Sequence, residues 1–277
     1  YLAFAKEAAE IVINSGNYAI DPPVRELFGS QSLSSKEPLM VAEFLVSENV
    51  KHCVASYSNS TESQTGLNLA FLKSVIRQDG KPYTTSSTYD PADPKVLSLP
   101  VMAEHCDPRF EASISEIPVK GSSTLVYQRK FIDRAAWEMN DKERGQASIY
   151  QSLTNENDAP VIRYAEVLLN WIEAKAELGT ATQPDIDKSI NALRDRDLAP
   201  EAIALGVQKT AHLTLPVAAD FDPSRDADVD PLIWEIRRER RMEMAFEHSR
   251  LLDIKRWGKL HYMDNPQMQG VFSDNML

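Results

Sequence analysis

The chain has 277 residues, of which 43% are hydrophobic and 26% charged, an ordinary balance for a globular protein. Its net charge is -11 and its isoelectric point about 5.0, so it repels phosphate backbones unless one face is strongly basic, which argues against a nucleic-acid partner. No apolar run is long enough to span a bilayer.

The opening YLAFAKEAAEIVINSGNY reads as a helix with Phe4, Ala8, Ile11 and Val12 on one face, and Gly16 stands where a left-handed C-terminal cap belongs. There is no initiator Met and no signal peptide, and a helix pattern that starts at the first residue reads as part of a longer protein that lacks its N-terminal half here. DPPVRELF marks a turn followed by a short helical segment ending near Phe28. Residues 29–36 are small and polar, a loop. The run LMVAEFLV at 39–46 is strand or helix, and periodicity does not decide between them. From about 56 to 160 the sequence is turn-rich and irregular. YDPADPK and CDPRF are Asp-Pro turns, because a residue before Pro is pushed out of the helical region. Alternation in STLVYQRKFI suggests one or two small strands.

The final third is helical. Over 161–178, Tyr164, Leu168, Trp171 and Ile172 line one side while Glu166, Asn170, Glu173 and Glu177 line the other, and Gly179 closes the helix. The next helix begins after Pro184 with Ile186, Ile190 and Leu193 as its buried stripe. The two form an αα-hairpin near the size of one tetratricopeptide repeat, a unit that needs stacked neighbours to bury both faces. After a polar, Pro-broken loop, a helix is expected from about Leu232 to Phe246 and a last one from about Ser249 to Trp257.

The helix around EIRRERRMEMAFEH is dense in arginine, yet Glu235, Glu239, Glu243 and Glu247 recur every fourth residue as an acidic stripe. Arg237 and Arg241 form a neighbouring stripe, with Arg238 and Arg240 between. Opposite charges three or four apart attract, and a helix that reads DNA would not neutralise its own arginines in this way. The apolar stripe is interrupted between Ile236 and Met242, so these charges must pair with neighbouring elements. Arg250, Asp253 and Arg256 in SRLLDIKRWG are the candidate partners, and the planar guanidinium fork suits bidentate carboxylates. A solvated charged helix is the alternative reading.

Two cysteines, Cys53 and Cys106, each follow a His, without the clustered spacing of a zinc site. They are either a disulfide pair or two buried thiols.

These residues resemble the SusD/RagB family, surface lipoproteins of certain Gram-negative bacteria that capture nutrients for an outer-membrane transporter. The resemblance rests on NDAPVIRYAEVLLNWIEAKAELG, on SINALRDR and on IRRERRMEMAFEHSRLLDIKRWG, with weaker echoes in VINSGNYAI, CDPRF and YQRKFID. The chain departs from the family pattern at His248 and Ser249, where Gly and a variable residue are usual, and at Leu251 and Leu252, where aromatics often stand. The family's Pro-Ile-Pro tail, signal peptide and lipidated Cys are not in this sequence. The resemblance implies a mainly α fold: a tetratricopeptide-like scaffold of helix pairs in an α-α superhelix, with a large irregular region and a few short strands. It also implies one domain over 1–277, helical at 1–28 and 161–258 and irregular at 29–160, with the ligand site in the irregular part. Glu239, Arg240, Glu243, Arg250, Asp253, Arg256 and Trp257 then form an internal structural network.

No nucleophile elbow, HExxH or phosphate loop is present, and Asp107 and Asp133 are candidates for acid–base chemistry by position alone. The Asp-dense DPSRDADVD at 222–230 could hold a structural calcium but lacks the EF-hand order and its Gly, and a solvated acidic loop is the better reading; no cofactor is expected. Binding needs less. Sugars pack C–H faces on aromatic rings and bond through hydroxyls, so aromatics in polar loops are the expected site: Trp137, Tyr127, Tyr150, Tyr83 and Tyr89. Half-buried packing is the alternative for each. Trp171 and Trp257 are assigned to the core, and Trp234 to neither. The expected protein is a non-catalytic glycan-capturing partner of a TonB-dependent outer-membrane transporter, with a peptide ligand possible. The competing expectation is a helical-repeat adapter that binds a peptide or protein.

Overall fold

The computed structural model describes residues 1–54, 68–90, 92–93, 95–114, 126–134 and 155–264. The elements that organise the fold are, in chain order, α1 (Leu2–Asn14), α2 (Val24–Gly29), β1 (Pro38–Ala42), α3 (Leu69–Ser74), α4 (Leu99–His105), α5 (Pro108–Ser113), β2 (Ala159–Arg163), α6 (Tyr164–Glu177), α7, α8 (Pro200–Ala204), α9 (Pro231–Glu243) and α10 (Arg250–Arg256). Helix α7 runs through Gln183–Ile186, a π turn at Asp187–Asn191 and Ala192–Arg194. The chain is mainly α, as its motifs imply. No helix among the described residues is long and apolar enough to cross a membrane.

Helix α6 is the axis of the C-terminal half. Its Leu168, Trp171 and Ile172 meet Ile186 and Ile190 of α7, Ile236 of α9 and Ala9 and Ile13 of α1 in one buried cluster. The α6–α7 hairpin closes as its sequence dictates. Gly179 takes φ +68°, and Thr180 N–H returns to the Lys175 carbonyl at 2.9 Å. Thr182 N–H donates to the Asp185 carboxylate at 2.8 Å, completing a capping box at the start of α7. At the head of α9, Asp230 accepts from Leu232 N–H at 2.9 Å, with Pro231 at the first helical position.

Two expectations fail here for physical reasons. Helix α1 buries Ala9 and Ile13, while Phe4 and Ile11 are 74% and 75% exposed. Ala9 and Ile13 pack in one cluster with Trp171 of α6, and Glu10 beside them accepts from the Trp171 indole at 3.1 Å, so the face that meets α6 is the one buried. Residues 161–163, expected to begin the long helix, instead belong to strand β2. β2 pairs antiparallel and irregularly with β1, matching Pro38 to Arg163 and Ala42 to Ala159, so the run at 39–46 is strand as far as Ala42, and Val46 opens a 3-10 turn. This pairing sets Glu37 beside Arg163, and Tyr164 N–H bonds the Glu37 carbonyl at 2.8 Å.

A second cluster joins α3, α4 and α5 to α9 through Leu72, Ile76, Leu99, Met102, Phe110, Ile114 and Met242. Cys106 lies buried in it, and burial pushes its thiol up to about 12. No disulfide joins it to Cys53.

Candidate functional site

The acidic stripe of α9 faces inward. Glu235, Glu239 and Glu243 are 1%, 0% and 2% exposed. Burying a carboxylate costs several kcal/mol unless charges and hydrogen bonds replace its water. Those partners come almost entirely from other segments. Glu239 accepts from Arg109 at 2.5 Å and from Arg194 at 2.9 Å. Glu243 accepts from Arg109 at 2.9 Å, from Arg196 at 3.1 Å and from Arg163. Glu247, just beyond the helix, accepts from Arg163 at 2.8 Å and from Lys130 at 2.6 Å. Glu37 closes the ring by taking both Arg163 and Arg196. Only Arg238, 3.0 Å from Glu235, makes the within-helix pair that spacing alone suggests, and its other hydrogen-bond partners are Asp222 and the Ser74 carbonyl.

The electrostatics follow. Burial opposes ionisation of Glu243, but Arg163, Arg196 and Arg109 outweigh it and hold the carboxyl well below its usual range. Burial likewise opposes ionisation of Asp107, and Arg109 again wins. With both oxygens engaged by Arg109 and a further bond from Thr210 at 2.8 Å, Asp107 is a helix cap and an arginine clamp. The acid–base role open to it by position has no support in this geometry.

A second charged layer ties α9 and α10 to the polar face of α6. Arg240 donates to Asp253 at 2.7 Å, to Glu166 at 3.0 Å and to Asn170 at 2.9 Å. Arg256 donates to Asp253 at 3.0 Å and grips Glu173 with two bonds of 2.6 Å, while the Trp257 indole donates to Glu173 at 2.7 Å. The polar side of α6 therefore faces a neighbouring helix. Arg250 differs from its expected partners: Asp253 is occupied by Arg240 and Arg256, and the Arg250 guanidinium lies over the Trp257 ring, 5.5 Å from its centroid.

The aromatic candidates separate. Tyr83 and Tyr89 meet edge to face with centroids 5.2 Å apart, both half-buried in the turn region after α3. Burial, then the neighbouring Tyr89 and Asp222, raise the Tyr83 hydroxyl. Tyr127 is 4% exposed, a packed position that offers no ring face to a ligand. Trp137 and Tyr150 lie outside the described residues. Trp171 is buried, whereas Trp257 is half-buried and lines a cavity; Trp234 lines it too and donates its indole N–H to Asp222 at 2.6 Å. The Asp-rich loop is spent on protein partners: Asp222 on Arg238, Asp226 and Asp228 on Lys259, and Asp230 on the α9 cap. Among the described residues no group of three or more His, Cys, Asp or Glu side chains could hold a metal ion.

The buried ring of carboxylates uses Arg109 of CDPRF, Arg163 of VIRYAE and both arginines of SINALRDR, so the separated motifs converge on one another in space. Residues 48–276 match the family model described as the SusD family. The chain belongs to the SusD family. Its fold is similar to that of a SusD-like carbohydrate binding protein from Bacteroides fragilis, at 24% identity and a TM-score of 0.65, covering 91% of this chain and 48% of that one. A second SusD-like protein from Bacteroides fragilis matches at 20% identity and a TM-score of 0.57, covering 91% of this chain and 50% of that one. This SusD-family chain thus spans about half the length of these solved structures. No curated protein matches it.

Sequence reasoning did not single out Arg109, Arg163, Arg194 and Arg196 as members of the network, although each stands within a motif quoted for the family. Glu37 carries no such signal. Its role exists only once β1 and β2 pair.

Proposed function

We propose that this protein binds glycans without catalysis and delivers them to a TonB-dependent outer-membrane transporter, acting at the cell surface as a lipoprotein. Membership of the SusD family carries this reading, and the described geometry is compatible with it. The conspicuous carboxylates are consumed in structural ion pairs, which leaves no spare acid–base pair among them. In this reading the chain acts as a single SusD/RagB-like domain, and the ligand meets aromatic rings of the irregular region: Tyr83 and Tyr89, with Trp137 and Tyr150. Ring faces and polar loop groups together suit the C–H faces and hydroxyls of a sugar.

Affinity electrophoresis across a panel of soluble polysaccharides tests the ligand class. Retardation by at least one glycan, without release of new reducing ends on prolonged incubation, is the expected result. Calorimetry with Trp137→Ala and with Tyr83→Ala then tests the site, and both variants are expected to bind more weakly while melting close to the parent. Failure of every glycan to retard the protein would overturn the proposal. Unchanged affinity in a variant would remove that ring from the site.

A further inference from the structure

Tyr83 and Tyr89 stand on KPYTTSSTY, residues 81–89, a segment without helix or strand. Five hydroxyl residues in a row, Thr84 to Thr88, separate the two rings, and four of them are exposed. Apart from Pro82 and the ring pair, the segment buries little apolar surface, so hydrogen bonds must set its shape.

Asp79 supplies the acceptor for both ends of it. One carboxylate oxygen accepts from Lys81 N–H at 3.2 Å. The other accepts from the Ser86 hydroxyl at 2.9 Å, from Ser87 N–H at 2.9 Å and from the Ser87 hydroxyl at 3.0 Å. Ser86 Oγ in turn shares a 2.8 Å bond with the Thr88 hydroxyl and accepts from Thr88 N–H at 3.1 Å, while the Ser86 carbonyl accepts from Tyr89 N–H at 3.3 Å. A chain of bonds thus runs from Asp79 to the residue that carries the second ring. Burial opposes the charge on Asp79, but the bonds from Ser86, Ser87 and Lys81 outweigh it and hold the carboxyl below its usual range.

On its other side Asp79 is rooted in a stiff turn. Gly80 takes φ +75°, its N–H returns to the Arg77 carbonyl at 2.9 Å, and a Cβ there would lie 3.0 Å from the Ala211 carbonyl oxygen. Gln78 N–H bonds the carbonyl of His105, at the end of α4, at 3.0 Å, and Ala211 N–H bonds the Gln78 carbonyl at 2.8 Å. The loop's tie to Phe221, from the Thr85 hydroxyl to the carbonyl, is long at 3.4 Å. Both Asp79 oxygens are engaged, whereas neither tyrosine hydroxyl has a hydrogen-bond partner among the described residues. The rings are the groups left to meet a ligand, and Asp79 is the group that aims them.

We propose that Asp79 is a positioning residue for glycan capture: it fixes the 81–89 loop so that Tyr83 and Tyr89 meet a sugar already in their edge-to-face arrangement, and binding does not have to order the loop. This role rests on the glycan reading given above.

The probes are soluble starch, xyloglucan, galactomannan and polygalacturonate in affinity electrophoresis. The ring signals of Tyr83 and Tyr89 are followed by NMR in the tyrosine-labelled 277-residue protein. For any polysaccharide that retards the parent, Asp79→Ala is expected to weaken binding by at least about fivefold. It is also expected to move both ring signals towards those of solvated tyrosine and to melt close to the parent. Asp79→Asn, which keeps one acceptor oxygen, is expected to fall between the two. In a Tyr83→Ala background, Asp79→Ala is expected to cost less affinity than it does in the parent, a coupling that a merely structural role would not produce. Equal retardation of the parent and Asp79→Ala, unmoved ring signals, or full additivity with Tyr83→Ala would overturn the proposal and leave the glycan reading standing. Loss of the global fold in both Asp79 variants would overturn it too, because Asp79 would then support more than its loop. A parent that none of the four polysaccharides retards sinks the glycan reading itself, and this role with it.

Discussion

Arg163, the last residue of β2, donates to both the carboxylate and the backbone carbonyl of Glu243, the last residue of α9, the carbonyl bond being 2.7 Å. The two stand 80 residues apart in sequence. Through this contact the end of a strand fixes the end of a helix, and the same guanidinium reaches on to Glu37 and Glu247. The glutamates of α9, with Arg238 and Arg240, therefore belong to a lattice that holds sheet, helix pair and connecting segments in register.

The lattice separates two residues that sequence alone places together. Asp253 is buried and accepts from Arg240 at 2.7 Å and Arg256 at 3.0 Å, so Asp253→Ala leaves cations without their carboxylate. Its expected cost is about 3–5 kcal/mol in urea denaturation. Arg250→Ala removes a ring contact from a partly exposed cation and is expected to cost about 0.5–2 kcal/mol. Equal losses in the two variants would contradict this ranking.

Acid should loosen the fold, and the sign follows from the shifts. Asp107, Asp222, Glu243 and Glu247 are each held below the ordinary range by arginine or lysine neighbours that outweigh burial. The unfolded chain, with carboxyl groups near about 4, takes up protons first as pH falls. The stabilisation is whole above the unfolded values and is lost progressively below about pH 5. Glu235 acts in the opposite sense, since burial raises it despite Arg238, but it is one group against four. The urea midpoint is expected to be level from about pH 7 to 5 and to fall steeply below. A midpoint unchanged down to about pH 3.5 would contradict the assignment.

Gly29 ends α2 against the segment that carries Phe131 and Ile132. A Cβ there would lie 2.7 Å from the Ile132 carbonyl oxygen, a backbone atom with little room to move. Gly29→Ala is expected to destabilise by about 1–3 kcal/mol through overpacking. Thermal melting checks it, and a variant as stable as the parent would show that the two segments separate easily.

Much of the helical part was legible. The 3.6-residue rhythm of Leu168, Trp171 and Ile172 and of Ile186, Ile190 and Leu193 marked the hairpin, and Gly16 and Gly179, at φ +69° and +68°, marked two helix ends. Periodicity failed where the neighbour chose the face. The cluster that α6 builds around Trp171 and Leu168 receives Ala9 and Ile13 of α1, and no pattern within α1 contains that information. Charge also misled, because Glu166 and Glu173 read as solvent-facing until α9 and α10 arrive to meet them. Of the expected binding rings, Tyr127 became core, Tyr83 and Tyr89 pair in a loop, and Trp137 and Tyr150 fall outside the described residues. Loop chemistry alone could not sort them, since packing and ligand contact call for the same aromatic side chains.

The most direct test of the account is the stability of Glu243→Gln in urea. The substitution keeps size and one acceptor oxygen, removes the charge that Arg109, Arg163 and Arg196 share, and sets an amide donor where the second carboxylate oxygen accepted. A loss of about 3–5 kcal/mol is the expected result, because three buried guanidinium groups lose their common counter-ion. A loss within about 1 kcal/mol, the range of a surface pair, would show that α9 is held by its apolar contacts and that the ionic lattice is not what fixes the fold.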